Sequence, residues 1–163
     1  MGVGRHADVV HLIDFGLSKE YRDPYTHLHI SFKKGLGFTG TTAFASINSH
    51  LGLELGRQDD LKSLTYVLFY FLWGCLPWQG LGVEGKEILE SKQGITTHNS
   101  FQVLLPVFCM LFEHCHLLSF NGKPNYDHFD HLFNDLLLEG GFQSDVVAFN
   151  WDELLTTSDI PPA

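Results

Sequence analysis

The sequence predicts a mainly helical protein with one short β element near its N-terminus, and three observations predict it. The longest apolar run, Leu64 to Trp73, follows two carboxylates, Asp59 and Asp60, and is broken by Gly74 and Pro77. Between Tyr126 and Leu138, the residues Phe129, Leu132, Phe133, Leu136 and Leu137 recur at helical spacing. By contrast, Asp8-Val-Val-His-Leu-Ile13 is β-branched and aliphatic and runs into a turn-prone Asp-Phe-Gly, the pattern of a short strand.

Each element has a local reason. From Gly16 to Phe44 the chain is polar, rich in Gly, Thr and His, and without periodicity. Long ordered loops of this kind tend to carry function. Asp59 and Asp60 suit a helix N-terminus, where unpaired N–H groups and the helix dipole favour negative charge. The helix after them is apolar nearly all round from Leu64 and is expected at the centre of the molecule. Glu84 to Lys92 reads as a short amphipathic helix. Phe101 to His116 reads as another, with Pro106 kinking it or sitting in its first turn. Gly140-Gly141 stops the helix that begins at Tyr126. Residues 156–163, ending in Pro161-Pro162-Ala163, are expected to fray.

Composition narrows the function classes. With 44% hydrophobic and 18% charged residues in 163, the chain is globular rather than disordered. Its formal charge of -9 argues against binding nucleic acid or an anionic membrane face. The run from Leu64 is too short to span a bilayer. Cys75, Cys109 and Cys115 form no CxxC pattern, which suits reduced thiols inside the cell. The stretch Met1–Gly16 lacks an apolar segment beside a cleavage site, and His6 stands where a myristoylation motif needs Ser or Thr. An intracellular protein, cytoplasmic or nuclear, is expected.

One short motif suggests chemistry. Asp14-Phe15-Gly16 follows the expected strand and opens the long loop. In phosphoryl transfer a carboxylate so placed holds the magnesium that bridges nucleotide phosphates. As three letters alone it is equally a plain turn.

The wider sequence resembles the casein kinase I family of serine/threonine protein kinases. The resemblance is carried by LIDFGLSKEYRD (12–23), HLHI (27–30), FTGTTAFASINSHLGLE (38–54), RQDDLKSLTYVLFYFLWGCLPWQGL (57–81) and FNGKPNYDHFDHLFNDL (120–136). Ser46-Ile47-Asn48 is its most specific word, standing where most protein kinases have Ala-Pro-Glu. The resemblance implies an incomplete kinase C-terminal lobe over residues 1–155, with ATP and magnesium as the family's cofactors. It implies that Ile13 and Asp14 lie at the nucleotide, with Asp14 the metal ligand. Gly40 and Thr41 would belong to the substrate-side loop. Asp60 would be the central-helix carboxylate that receives backbone hydrogen bonds from the catalytic loop, or, without that loop, a helix cap.

The sequence also departs from the family. It has no Gly-rich loop before a strand, no Val-Ala-Ile-Lys and no His-Arg-Asp with its downstream Asn. The proton acceptor, the second metal ligand and the phosphate-pairing Lys are therefore absent, so no catalytic residue is assigned. Ala43 stands where the family has an Arg that binds acidic substrate, Lys62 replaces a usual Glu, and Thr65 replaces a usual Gly. The expectation is a chain that does not transfer phosphate alone; the alternative is a non-catalytic kinase-like interaction module. Its partner would be a protein substrate or binding protein. Self-association through apolar surface left uncovered is a further expectation.

Other residues invite weaker readings. Cys109, His114, Cys115 and His116 cluster, but neighbours on a helix point in different directions. His128 and His131 share a face with no third ligand in the motif. Trp73, Trp78 and Trp151 read as core anchors rather than a ligand platform.

Overall fold

The computed structural model describes residues 9–80, 85–95 and 106–141. Among them lie five helices: α1 (Ile47–His50), α2 (Arg57–Trp73), α3 (Gly85–Gly94), α4 (Pro106–Leu117) and α5 (Tyr126–Glu139). The mainly helical expectation is met. The chain divides into two units, Leu17–Phe129 and a second formed by Met1–Gly16 with Asp130–Ala163. Each is described by itself.

In the larger unit, α2 begins where the sequence placed it. Asp59 sits in its first turn and accepts the Gly56 N–H at 2.9 Å, meeting one of the donors a helix start leaves unpaired. The helix ends at Gly74, whose φ of 75° is left-handed and whose N–H bonds to the Tyr70 carbonyl at 2.8 Å. A glycine takes that conformation without the cost a Cβ would add. Pro106 opens α4, where its missing N–H costs nothing. Residues 101–105 and Glu84, expected in helices, lie outside the described residues, as do Trp151 and the tail.

The core forms where α2 packs on α4, with α1 against α3. Tyr66, Phe69, Trp78, Leu111, Phe112 and Cys115 are buried there. The Tyr66 and Trp78 rings meet edge to face at 5.0 Å, and Phe69 lies 5.8 Å from Phe112, spacings that aromatic pairs favour. Thr65, where the resemblance expects Gly, is fully buried, and its hydroxyl donates to the Leu61 carbonyl at 2.8 Å. That back-bond satisfies a hydroxyl that would otherwise be buried unpaired.

Two expectations are corrected. Residues 9–13 form no strand, and Val10, Leu12 and Ile13 are exposed, Leu12 at 81% and Ile13 at 79%. A strand holds only when a neighbour pairs its N–H and C=O groups, and no described segment pairs with this one. The ladder pairs among the described residues are two isolated bridges, Arg22 with His29 and Lys34 with Leu53. The second correction concerns α2, which is buried along one face only. Lys62, Thr65, Tyr66 and Phe69 are inside, whereas Leu64, Phe71 and Leu72 face outward, Phe71 at 74%.

The long loop is ordered by its own polar groups. Asp23 accepts from the Tyr25 and Thr26 N–H groups at 2.9 and 2.7 Å and from the Thr26 hydroxyl at 3.0 Å. The Thr26 hydrogen bonds hold its carboxyl below the usual range. Further on, Leu36 donates to the Gly52 carbonyl and Glu54 to the Lys33 carbonyl, both at 2.9 Å. Gly52 has φ of 63°, and a Cβ there would collide with the Leu36 carbonyl oxygen. Its smallness lets the loop lie against the end of α1.

Candidate functional site

The loop that carries Gly40 and Thr41 is fixed from both ends. Before it, the Ser49 hydroxyl donates to the Thr39 carbonyl at 2.5 Å and accepts the Thr39 N–H at 3.1 Å. After it, the Phe44 and Ala45 N–H groups both donate to the Thr41 carbonyl, at 2.9 and 2.8 Å. Ser46 then caps α1 by accepting the Ser49 N–H. Gly40, with φ of 107°, makes the bend between the two fixed ends.

Beneath this loop lies a cavity of about 290 Å³, lined by Thr39, Gly40, Thr41, Asp59, Asp60 and Ser63 among others. Asp59 is buried and fully used: it accepts from the Asn48 side chain and from the Gly56 N–H, each at 2.9 Å. Asn48 belongs to the Ser46-Ile47-Asn48 word, so that word fastens the start of α2. The cap expected of Asp60 is thus made by Asp59. Asp60, one position on, lines the cavity beside it. Burial pushes its carboxyl above the usual range, the Asp59 carboxylate adds to the rise, and the Lys19 ammonium opposes it. Lys19 itself pairs with the buried Glu54 carboxylate.

Gly40, Thr41 and Asp60 are therefore brought together on one cavity. Ile13 and Asp14 belong to the other unit. Asp14 has φ of 62°, and its Oδ1 accepts the Gly16 N–H at 3.2 Å, the geometry of a polar turn. Magnesium keeps its waters unless several oxygens converge. Among the described residues no three His, Cys, Asp or Glu side chains are placed to hold a metal ion. The donors among the described residues do not fit the magnesium that the resemblance implies.

A second centre lies beside α3 and was missed in the sequence. Lys92 is 1% exposed. Its Nζ lies 2.8 Å from the Thr42 carbonyl, 2.7 Å from the Ala45 carbonyl and 3.2 Å from His50 Nε2. It also sits over the Tyr66 and Trp78 rings, at 5.0 and 5.1 Å from their centroids. Burial lowers its pKa to about 8, so it is still an ammonium at neutral pH. The Trp78 indole donates to the Ala43 carbonyl at 2.7 Å. Three carbonyls of the 42–45 turn are thereby held by two side chains. Lys92 follows the buried Ile88 by four residues, and a lysine on the apolar stripe of a helix is the one signal that could have disclosed it. A cavity of about 430 Å³ adjoins it, lined by Phe38, Thr42, His50, Gly85, Lys86 and Leu89.

Of the described residues, no helix is long and apolar enough to cross a membrane. No protein-family model matches the chain.

Proposed function

We propose that the chain is a casein kinase I-like lower lobe, the substrate-side part of an ATP- and magnesium-dependent Ser/Thr protein kinase, which does not transfer phosphate alone. One observation carries the reading. Gly40, Thr41 and Asp60, assigned separately by resemblance, line a single cavity. Asp60 is the carboxylate that, by the resemblance, would receive the N–H groups of the family's catalytic loop. Phosphoryl transfer draws its acceleration from positioning and charge stabilisation. The sequence supplies neither the proton acceptor nor the phosphate-pairing Lys for either.

Complementation tests this. The purified chain is mixed with a separate polypeptide carrying the Gly-rich loop, ATP-anchoring Lys and catalytic loop of a casein kinase I enzyme. Radiolabelled ATP and casein report transfer. Label should enter casein only in the mixture. A silent mixture overturns the reading, and transfer by the chain alone overturns its second half.

The alternative, a non-catalytic interaction module, is favoured by a different feature. Leu64, Phe71 and Leu72 lie exposed on one helix, a surface suited to a protein partner.

A further inference from the structure

The turn over residues 41–46 is tied to α3 by a lysine whose described hydrogen bonds all go to uncharged acceptors. An ammonium has only hydrogens to give, so His50 Nε2 must present its lone pair to Lys92, with the ring proton on Nδ1. That bond exists only while the imidazole is neutral. We propose that His50 is an acid-responsive latch: a proton taken from solvent onto Nε2 removes the acceptor, sets two cations against each other and loosens the Lys92 anchor that holds the 41–46 turn to α3 through the Thr42 and Ala45 carbonyls. The inference does not rest on the kinase reading.

Four observations support it. First, the two nitrogens are 3.2 Å apart and Lys92 is enclosed, so water does little to screen their repulsion. Second, His50 also lines the 430 Å³ cavity, which gives protons a route to the ring. Third, no carboxylate among the described residues that contact the pair or line the cavity offers the new charge a counterion. From α3 come Lys92 and Lys86, the latter 4.0 Å from Glu90 on its own helix. From α2 comes the Tyr66 phenol, which burial keeps neutral. From the loop come Phe38, its ring 5.1 Å from His50, and Thr42, both uncharged. Fourth, burial and the Lys92 charge lower the His50 pKa, while the Thr42 carbonyl draws it back partway.

The sign follows. A histidine whose folded pKa lies below its unfolded value of about 6.5 favours the fold above that pH, and its contribution fades as pH falls through the folded value. The latch therefore holds at neutral pH and opens in acid.

Amide hydrogen exchange on the full chain tests it. Between about pH 7.5 and about pH 5, exchange at Phe44 and Ala45, corrected for its intrinsic rate, should quicken by about tenfold or more in the wild type. In His50→Gln, which keeps an acceptor for Lys92 but cannot titrate, it should stay within about twofold. Equal quickening in both, or none in the wild type, overturns the proposal. Should His50→Gln not fold, the NMR titration of the wild-type imidazole decides. A midpoint below about 6.5, with Phe44 and Ala45 shifting at the same pH, supports the latch, and a midpoint at or above it sinks it.

Discussion

The segment from Val9 to Leu17 and the cluster around Lys92 make opposite use of their composition. The first is among the more apolar stretches of the chain, yet Val10, Leu12, Ile13, Phe15 and Leu17 are all exposed. The second contains a lysine, a histidine and three backbone carbonyls, yet Lys92 and Trp78 at its centre are each 1% exposed. Apolarity creates a tendency to leave water, but a neighbour must be there to receive the side chain. Polar groups can be buried when each has its partner. Lys92 has three partners and two aromatic faces, whereas Ile13 has no strand beside it among the described residues.

The largest expected effect breaks the enclosed cluster. Trp78→Ala removes a 1% exposed indole that packs on Tyr66, covers Lys92 and donates to Ala43. It should cost about 3–5 kcal/mol, a large share of the stability of any domain. Urea unfolding followed by circular dichroism should show the transition lost or moved far toward low denaturant. A smaller effect separates charge from volume at the same place. Lys92→Met keeps the stem between the rings but leaves the Thr42 and Ala45 carbonyls without their donor, at about 1–3 kcal/mol. The same unfolding curve measures it, and a neutral result would mean the polar contacts add nothing beyond packing. The smallest effect sharpens the other side. Ile13→Ser should leave the unfolding midpoint within about 0.5 kcal/mol while reducing fluorescence of a bound hydrophobic dye. A clear loss of stability would show that Ile13 is covered in solution.

Legibility followed the range of the forces involved. The bounds of α2 were readable because Asp59 and Gly74 act on backbone within a turn of themselves. The end of α5 at Gly140-Gly141 was readable for the same reason, whereas the sequence left Pro106 either as a kink or in a first turn, and it stands at the start of α4. The division of labour between Asp59 and Asp60 was not readable. Adjacent helix residues point about 100° apart, and only the position of Asn48 decides that Asp59 is the carboxylate tied by hydrogen bonds. The strand at 8–13 failed because β-branched residues state a preference that only a paired neighbour can realise. One outward face of α2 escaped notice because its apolar residues run round the whole helix, so the pattern names no inside.

The sequence by itself determined the bounds of α2 and the end of α5, because caps and glycines act through bonds a few residues long; α1 was not read from it. It also carried Ser46-Ile47-Asn48 as a distinctive word. Only the tertiary structure decided which of two aspartates bonds to Asn48, that Lys92 and His50 meet across forty-two positions of chain, and that an aliphatic run stays outside. Those outcomes depend on which surfaces come within a few ångströms of one another, and no local preference contains that information.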